Sequence, residues 1–179
     1  MALNIPQSLV NLDANCGVFA VWMVLQHHGV NMDIAELVKI CRHDDGDGTF
    51  TIALAVALKK MGFDVSFHSD QDPNIDAIER MSYREAKALK IPVQAALSYQ
   101  EIQTAILNGK MVIVYYDTLD DIGNQSLVYS IDSKEICFFD NFEPMPAVVF
   151  EKQRKAEGIC RQAIVIGNHD LHIHSTKLN

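Results

Sequence analysis

What this sequence of 179 residues lacks narrows the reading first. Its four cysteines, Cys16, Cys41, Cys137 and Cys160, include no Cys-x-x-Cys pair. That disfavours a disulfide framework, a zinc ribbon and a dithiol redox centre alike, and predicts free thiols in a reducing compartment. Positive charge is scarce: 15 Lys and Arg stand against 23 Asp and Glu, a formal net charge of -8. Without a basic face to neutralise phosphates, neither nucleic acid nor an anionic membrane is expected as a partner. No apolar run approaches the ~20 residues that span a bilayer. No charged start followed by an apolar core marks a signal peptide, so a cytoplasmic setting is expected unless secretion uses no such signal. A Gly-rich phosphate-cradling loop is missing too. The acidic stretch 44–48 lacks the alternating ligands and distant glutamate of a calcium loop and reads as a turn. No cofactor or metal is expected.

What is present is an ordinary globular composition, 49% hydrophobic and 21% charged, enough for one domain with a full core. We expect that domain over 1–167, followed by a tail at 168–179. Its centre is the stretch that begins at Asn15 and Cys16. The eight apolar residues Val18 to Leu25 leave no polar face, so this helix must be wrapped by other elements. Asn15 suits the N-cap and Gly29 the position past the last turn. Cys16 then sits in the first turn, where unpaired backbone N–H groups and the helix dipole favour a thiolate and lower the thiol pKa.

Along the chain, Asp33 and Glu36 start a short amphipathic helix with Ile34, Leu37, Val38 and Cys41 on one side. Thr49 or Thr51 is expected to cap a buried helix over 52–61. Phe63, Val65 and Phe67 alternate with polar residues as in a strand. A surface helix follows over 75–89, with Ile78, Met81 and Ala88 predicted inward. A short strand at 92–97 and a helix over 99–107, opened by a Ser98–Glu101 capping box, come next. Strands are predicted at 111–116, 125–131 and 135–139, the last two joined as a hairpin. A helical piece over 148–156 and a closing strand over 159–166 complete an α+β pattern.

The segment from Asn15 through Cys16 and Gly17 to Gly29 resembles the active-site helix of the bacteriocin-processing cysteine peptidases, papain-like domains that remove double-glycine leaders. The stretch 48–62 is similar to that family's third helix. Residues 99–114 resemble the helix and strand before its histidine, and Phe138, Phe139, Asp140 and Asn141 the strand ending in its catalytic acid. Coverage runs over 6–167, with an apparent insertion at 74–91. The resemblance implies an N-terminal helical half packed on a C-terminal antiparallel sheet. It also implies a thiolate that attacks an acyl carbon, a histidine that takes the proton and an aspartate that orients the imidazole. Cys16 falls on the nucleophile and Asp140 on the orienting acid, with Asn141 as its amide alternative. Asn11 is nearest to the oxyanion donor, with Asn15 in support.

The departure is at the base. Where the family reads Gly-His, this chain reads Gly123, Asn124, Gln125, so that Gln125 or Asn124 takes the histidine's place, and a carboxamide cannot accept a proton near neutral pH. His27 and His28 lie about 18 Å from Cys16 by helical rise. His43 and His68 fall in or beside loops. His169, His172 and His174 lie in the tail, from where one folding back on the site would supply a base. Two readings follow: a cysteine peptidase or related acyl-transfer enzyme using Cys16, or a catalytically inactive relative that binds a peptide or partner protein in the old cleft. A third, a plant-type purine-nucleotide cyclase, lacks its phosphate loop. Because no exporter segment follows the domain, leader processing in cis is not expected.

Overall fold

The computed structural model describes residues 4–118, 122–141 and 143–167. A one-turn helix, α1 (Gln7–Val10), leads into α2 (Cys16–His27). Then follow α3 (Ile34–Cys41), α4 (Thr51–Lys60), β1 (Val65–Ser69), α5 (Ala77–Ala88), β2 (Val93–Ala95) and α6 (Tyr99–Leu107). The rest is β3 (Met111–Asp117), β4 (Gly123–Ile131), β5 (Glu135–Phe138), β6 (Met145–Pro146), α7 (Ala147–Gln153) and β7 (Ala163–Ile166). The α+β expectation holds.

The strands form one sheet of seven in the order β2-β1-β7-β3-β4-β5-β6. Every neighbouring pair is antiparallel except β1 and β2. The last strand is thus inserted between β1 and β3, buried on both faces, which explains why Ala163, Ile164 and Ile166 are all apolar and fully covered.

Two hydrophobic clusters sit on opposite faces of the sheet. One gathers α2, α3 and α4 over Ile113, Leu127 and Ile164. The other packs Ile102 of α6 and Phe150 of α7 against Val112, Val114, Tyr116, Val128 and Phe138. The sheet alternation decides the site, because successive strand residues face opposite layers. In β4, Gln125 shares the side of Leu127 and faces the α2 layer, whereas Asn124 and Ser126 share the side of Val128.

α2 is covered as its composition requires, with Gly17, Val18 and every residue from Ala20 to Leu25 buried. Asp33 accepts from the backbone N–H groups of Ala35 and Glu36, and Ser98 and Glu101 form the expected capping box. The acidic stretch is a turn in which Asp44 accepts from the N–H groups of Gly46 and Asp47.

Three expectations are corrected. Ile78 and Met81 point outward, each 53% exposed, and Ala88 is exposed as well. The face that α5 buries is Glu79, Ser82 and Ala86, tolerable because Ser82 accepts from Arg42 at 3.1 Å. Neither Thr49 nor Thr51 caps α4, whose N-cap is Phe50 with no side-chain cap bond. The closing strand is shorter than 159–166, because Cys160 (φ 52) and Arg161 (φ 45) adopt left-handed backbone that breaks its first half into a turn.

Candidate active site

Cys16 opens α2 beside the first residues of β4. The expected cap residue, Asn15, takes the N-cap position without bonding the helix; its side-chain N–H donates to the Leu9 carbonyl at 2.8 Å instead. That bond ties α1 to the start of the site.

The thiol of Cys16 donates to the Gln125 side-chain oxygen at 3.5 Å. The orientation of the Gln125 amide is fixed by its other end. Its N–H group donates to the Thr49 carbonyl at 2.6 Å and to Thr51 Oγ1 at 3.1 Å. A carbonyl can only accept, so the nitrogen must face Thr49 and the oxygen must face sulfur. The two threonines, which sequence reading assigned to helix capping, instead hold the residue opposite the thiol. Gly17 leaves the room for this: a side-chain carbon at that position would stand 2.5 Å from the Gln125 oxygen.

Asp140, which lines a cavity together with Cys16, is bonded through a second network that starts at Ser126. Ser126 O–H donates to Asp140 at 2.8 Å. Because that proton is committed, Ser126 Oγ accepts from Tyr116 O–H at 3.2 Å and from the Asn124 amide at 2.9 Å. The same Asn124 nitrogen donates to Tyr116 at 2.8 Å. Ser126 and Tyr116 were not singled out in the sequence; their register as strand neighbours, Tyr116 beside Asn124, was the available signal.

Cys16 borders two cavities. One, of about 290 Å³, is shared with Val10, Phe19, Asn124 and Asp140. The other, of about 260 Å³, is shared with Thr49, Tyr115, Asn124 and Gln125. No described histidine lines either. His43 bonds Thr49 Oγ1 at 3.1 Å, and His68 lies within β1, between Ser66 Oγ and the Ala95 carbonyl. His28 packs its ring on Phe63. His169, His172 and His174 lie outside the described residues.

Of the supporting residues, Asn15 lines both cavities, but Asn11 and Asn141 turn elsewhere. Asn11 is exposed and accepts from Gln7 at 2.7 Å, and Asn141 accepts from the backbone of Glu143 at 3.1 Å. Tyr115 lines the second cavity, where burial and the neighbouring Cys16 push its phenol above its usual range.

The expected lowering of the Cys16 pKa is reversed. Burial is the largest influence and pushes the thiol up; backbone hydrogen bonds at Gln125 and Gly17 pull it back, and the charge of Asp140 raises it further. The helix start is present, but among the described residues no cation lines either cavity. A thiol whose pKa is raised carries less thiolate at any given pH below it. Iodoacetamide labelling of Cys16 should therefore be slow at pH 6 and climb about tenfold per pH unit up to at least pH 8.5. A rate that has levelled off below pH 7 would contradict this environment for the sulfur. Cys41, fully buried with a pKa pushed up to about 12, should not label in the folded protein.

With this geometry, known proteins are informative. The model of the peptidase C39 family matches residues 8–83, the stretch that carries Cys16, α2, Thr49 and Thr51. Over that stretch the chain is similar to the C39 peptidases. Its fold is that of the crystal structure of the peptidase domain of Streptococcus ComA, described as a bi-functional ABC transporter involved in a quorum sensing pathway. The superposition has a TM-score of 0.53 at 17% identity and covers 86% of this chain and 91% of that one. No curated protein matches. The C39 match ends at 83, inside the stretch 74–91 that the sequence marks as an insertion, so the helix α5 is only partly covered by it. Among the described residues, no helix is long and apolar enough to cross a membrane.

Proposed function

We propose that this chain uses the C39 peptidase fold to hold an extended peptide, or the extended segment of a partner protein, in the cleft beside Cys16 without cleaving it. What supports this reading is one contact: the group facing the sulfur is a carboxamide oxygen, locked in place through Thr49 and Thr51. It accepts a hydrogen bond but not a proton, so the thiol stays a thiol. A cytoplasmic setting belongs to the same reading, since all four cysteines are free.

Hydrolysis by Cys16, with a base from outside the described residues, is favoured by a different observation. The cavity of about 290 Å³ beside the sulfur also exposes Asn124 and Asp140, which leaves space for an imidazole next to an acid.

A library of fluorogenic peptides, screened for both binding and turnover, separates the two. The binding reading expects peptides whose affinity in Cys16→Ala stays within about twofold of wild type, since a thiol donating to a neutral amide contributes little. It also expects no turnover. Turnover that vanishes in Cys16→Ala and falls in Asp140→Asn would overturn it.

A further inference from the structure

The cavity of about 290 Å³ that Cys16 shares with Val10, Asn15, Phe19, Asn124 and Asp140 is polar in one sense only. The protons beside it are committed elsewhere. The Cys16 thiol donates to Gln125, and Asn15 turns its amide nitrogen to the Leu9 carbonyl. One Asn124 N–H reaches the Tyr116 hydroxyl and the other Ser126 Oγ, so the amide has only its oxygen left to offer. This orientation cannot reverse. Ser126 gives its proton to Asp140 and Tyr116 gives its proton to Ser126, which leaves both hydroxyls as acceptors toward Asn124.

Asp140 completes the wall. A carboxylate has no proton to give, and the Ser126 hydroxyl takes up only part of its capacity to accept. Among the described residues no Lys, Arg or His pairs with Asp140, and none lines the cavity. The side chain is exposed, so the space is open to a ligand from solution. What the cavity presents is therefore sulfur, an amide oxygen and a carboxylate, with Val10 and Phe19 as apolar sides.

A wall of acceptors is complemented by a group made of donors. Lysine and arginine side chains are donors only and carry the charge that Asp140 lacks a partner for. The guanidinium suits the site better, because its planar fork bonds two oxygens side by side and its methylene stem lies along apolar surface. Having no site that takes a proton, it also leaves Cys16 without a base.

We infer that this cavity is the pocket for an arginine side chain of the bound peptide, its guanidinium held by Asp140 and the Asn124 oxygen beside the Cys16 sulfur. The inference rests on the peptide-binding reading above and names the side chain that its ligand places there.

The test uses three fluorescein-labelled dodecapeptides, acetylated and amidated at their ends, alike except for arginine, lysine or citrulline at alternating positions. Citrulline keeps the shape of arginine without its charge. Fluorescence anisotropy on the full chain should show the arginine peptide bound about tenfold more tightly than the citrulline peptide, with lysine between them. Asp140→Asn, which keeps an acceptor for Ser126 and is checked for an unchanged melting profile, should weaken the arginine peptide by about three- to tenfold and leave the citrulline peptide within about twofold. Val10→Lys, at a residue 53% exposed, puts a cation beside the pocket and should weaken the arginine peptide in the same way. Saturating arginine peptide should also slow iodoacetamide labelling of Cys16 at pH 8.5 by at least about fivefold and leave Cys137 unaffected. Equal binding of the arginine and citrulline peptides would overturn the pocket and leave the peptide cleft standing. A lysine peptide bound as tightly as the arginine one would overturn the choice of a guanidinium. An arginine preference that survives both variants, or that leaves Cys16 unprotected, would overturn the assignment to this cavity, and no binding by any peptide would overturn both readings.

Discussion

Gln125→His should convert Cys16 from a resting thiol into a reactive one, with alkylation at pH 6.5 faster by at least about tenfold and up to a hundredfold. The argument is geometric. The Gln125 side chain now bridges two partners, sulfur on its oxygen side and the Thr49 carbonyl on its nitrogen side. An imidazole has the same reach and the same polarity of ends: one ring N–H donates to the Thr49 carbonyl, which fixes the tautomer, and the other nitrogen faces sulfur as an acceptor. Cysteines paired with histidine in this way have pKa values of about 3.5 to 7.5, against a wild-type thiol that burial holds above its usual value. A positioned base also contributes about 10² to 10⁴ in rate, so weak hydrolysis of a peptide that binds the cleft should appear with the labelling. Gln125→Leu is the control; it removes the amide without adding a base, and labelling should stay slow. A folded Gln125→His protein that labels at the wild-type rate would mean that the sulfur does not face position 125. Full activity is not expected, because Asp140 is committed to the Ser126 hydroxyl, which donates to it at 2.8 Å, and not to the side chain at 125.

The alternation of Gln125 and Ser126 between the two faces of β4 marks where the sequence stopped being informative. The wrapped central helix, the caps at Asp33 and Ser98 and the hairpin of β4 and β5 were all legible, since each rests on residues close together in the chain. Cys16, Gln125 and Asp140 were named as one set. The structure bonds Gln125 to Cys16 and Asp140 to Ser126, the next residue along β4, while Asp140 still shares a cavity with Cys16. Thr49 and Thr51 read as helix caps because capping is the commonest local use of a threonine before an apolar run. Their actual partner, Gln125, is more than seventy positions away in sequence, where no local pattern reaches it. The thiol failed in the same manner. Helix position is a local property and predicted a lowered pKa, but burial is set by the whole fold and is the larger influence here. On α5, the periodicity argument preferred Ile78 and Met81 as the inward residues, whereas the helix turns Glu79 and Ser82 inward, where Gln162 and Arg42 satisfy them.

Phe138→Ala should be the most destabilising single truncation near the site, costing about 3 to 5 kcal/mol. The ring is 1% exposed and stacks on Tyr116 at 5.1 Å between centroids with planes 14° apart; Phe150, fully buried, lies 5.9 Å away. Removing it opens a cavity whose walls come from β3, β5 and α7, elements held at fixed spacing by the sheet, so little collapse can refill it. In a chain of this size the loss corresponds to a fall in Tm of about 6 to 20 °C, and urea unfolding should show a lower midpoint with an unchanged slope. Phe138→Leu, which keeps most of the volume, should cost less than half as much. The more revealing readout is at Cys16. The Phe138 cluster lies on the α6 and α7 side of the sheet, whereas the bonds from Gln125 to Cys16, Thr49 and Thr51 lie on the α2 side. Under conditions where Phe138→Ala remains folded, the pH profile of Cys16 labelling should therefore match wild type. A destabilisation below about 1 kcal/mol would show that the pocket around Phe138 closes readily. A changed labelling profile in the folded variant would show that the Phe138 cluster reaches the sulfur through Tyr116, Ser126 and Asp140.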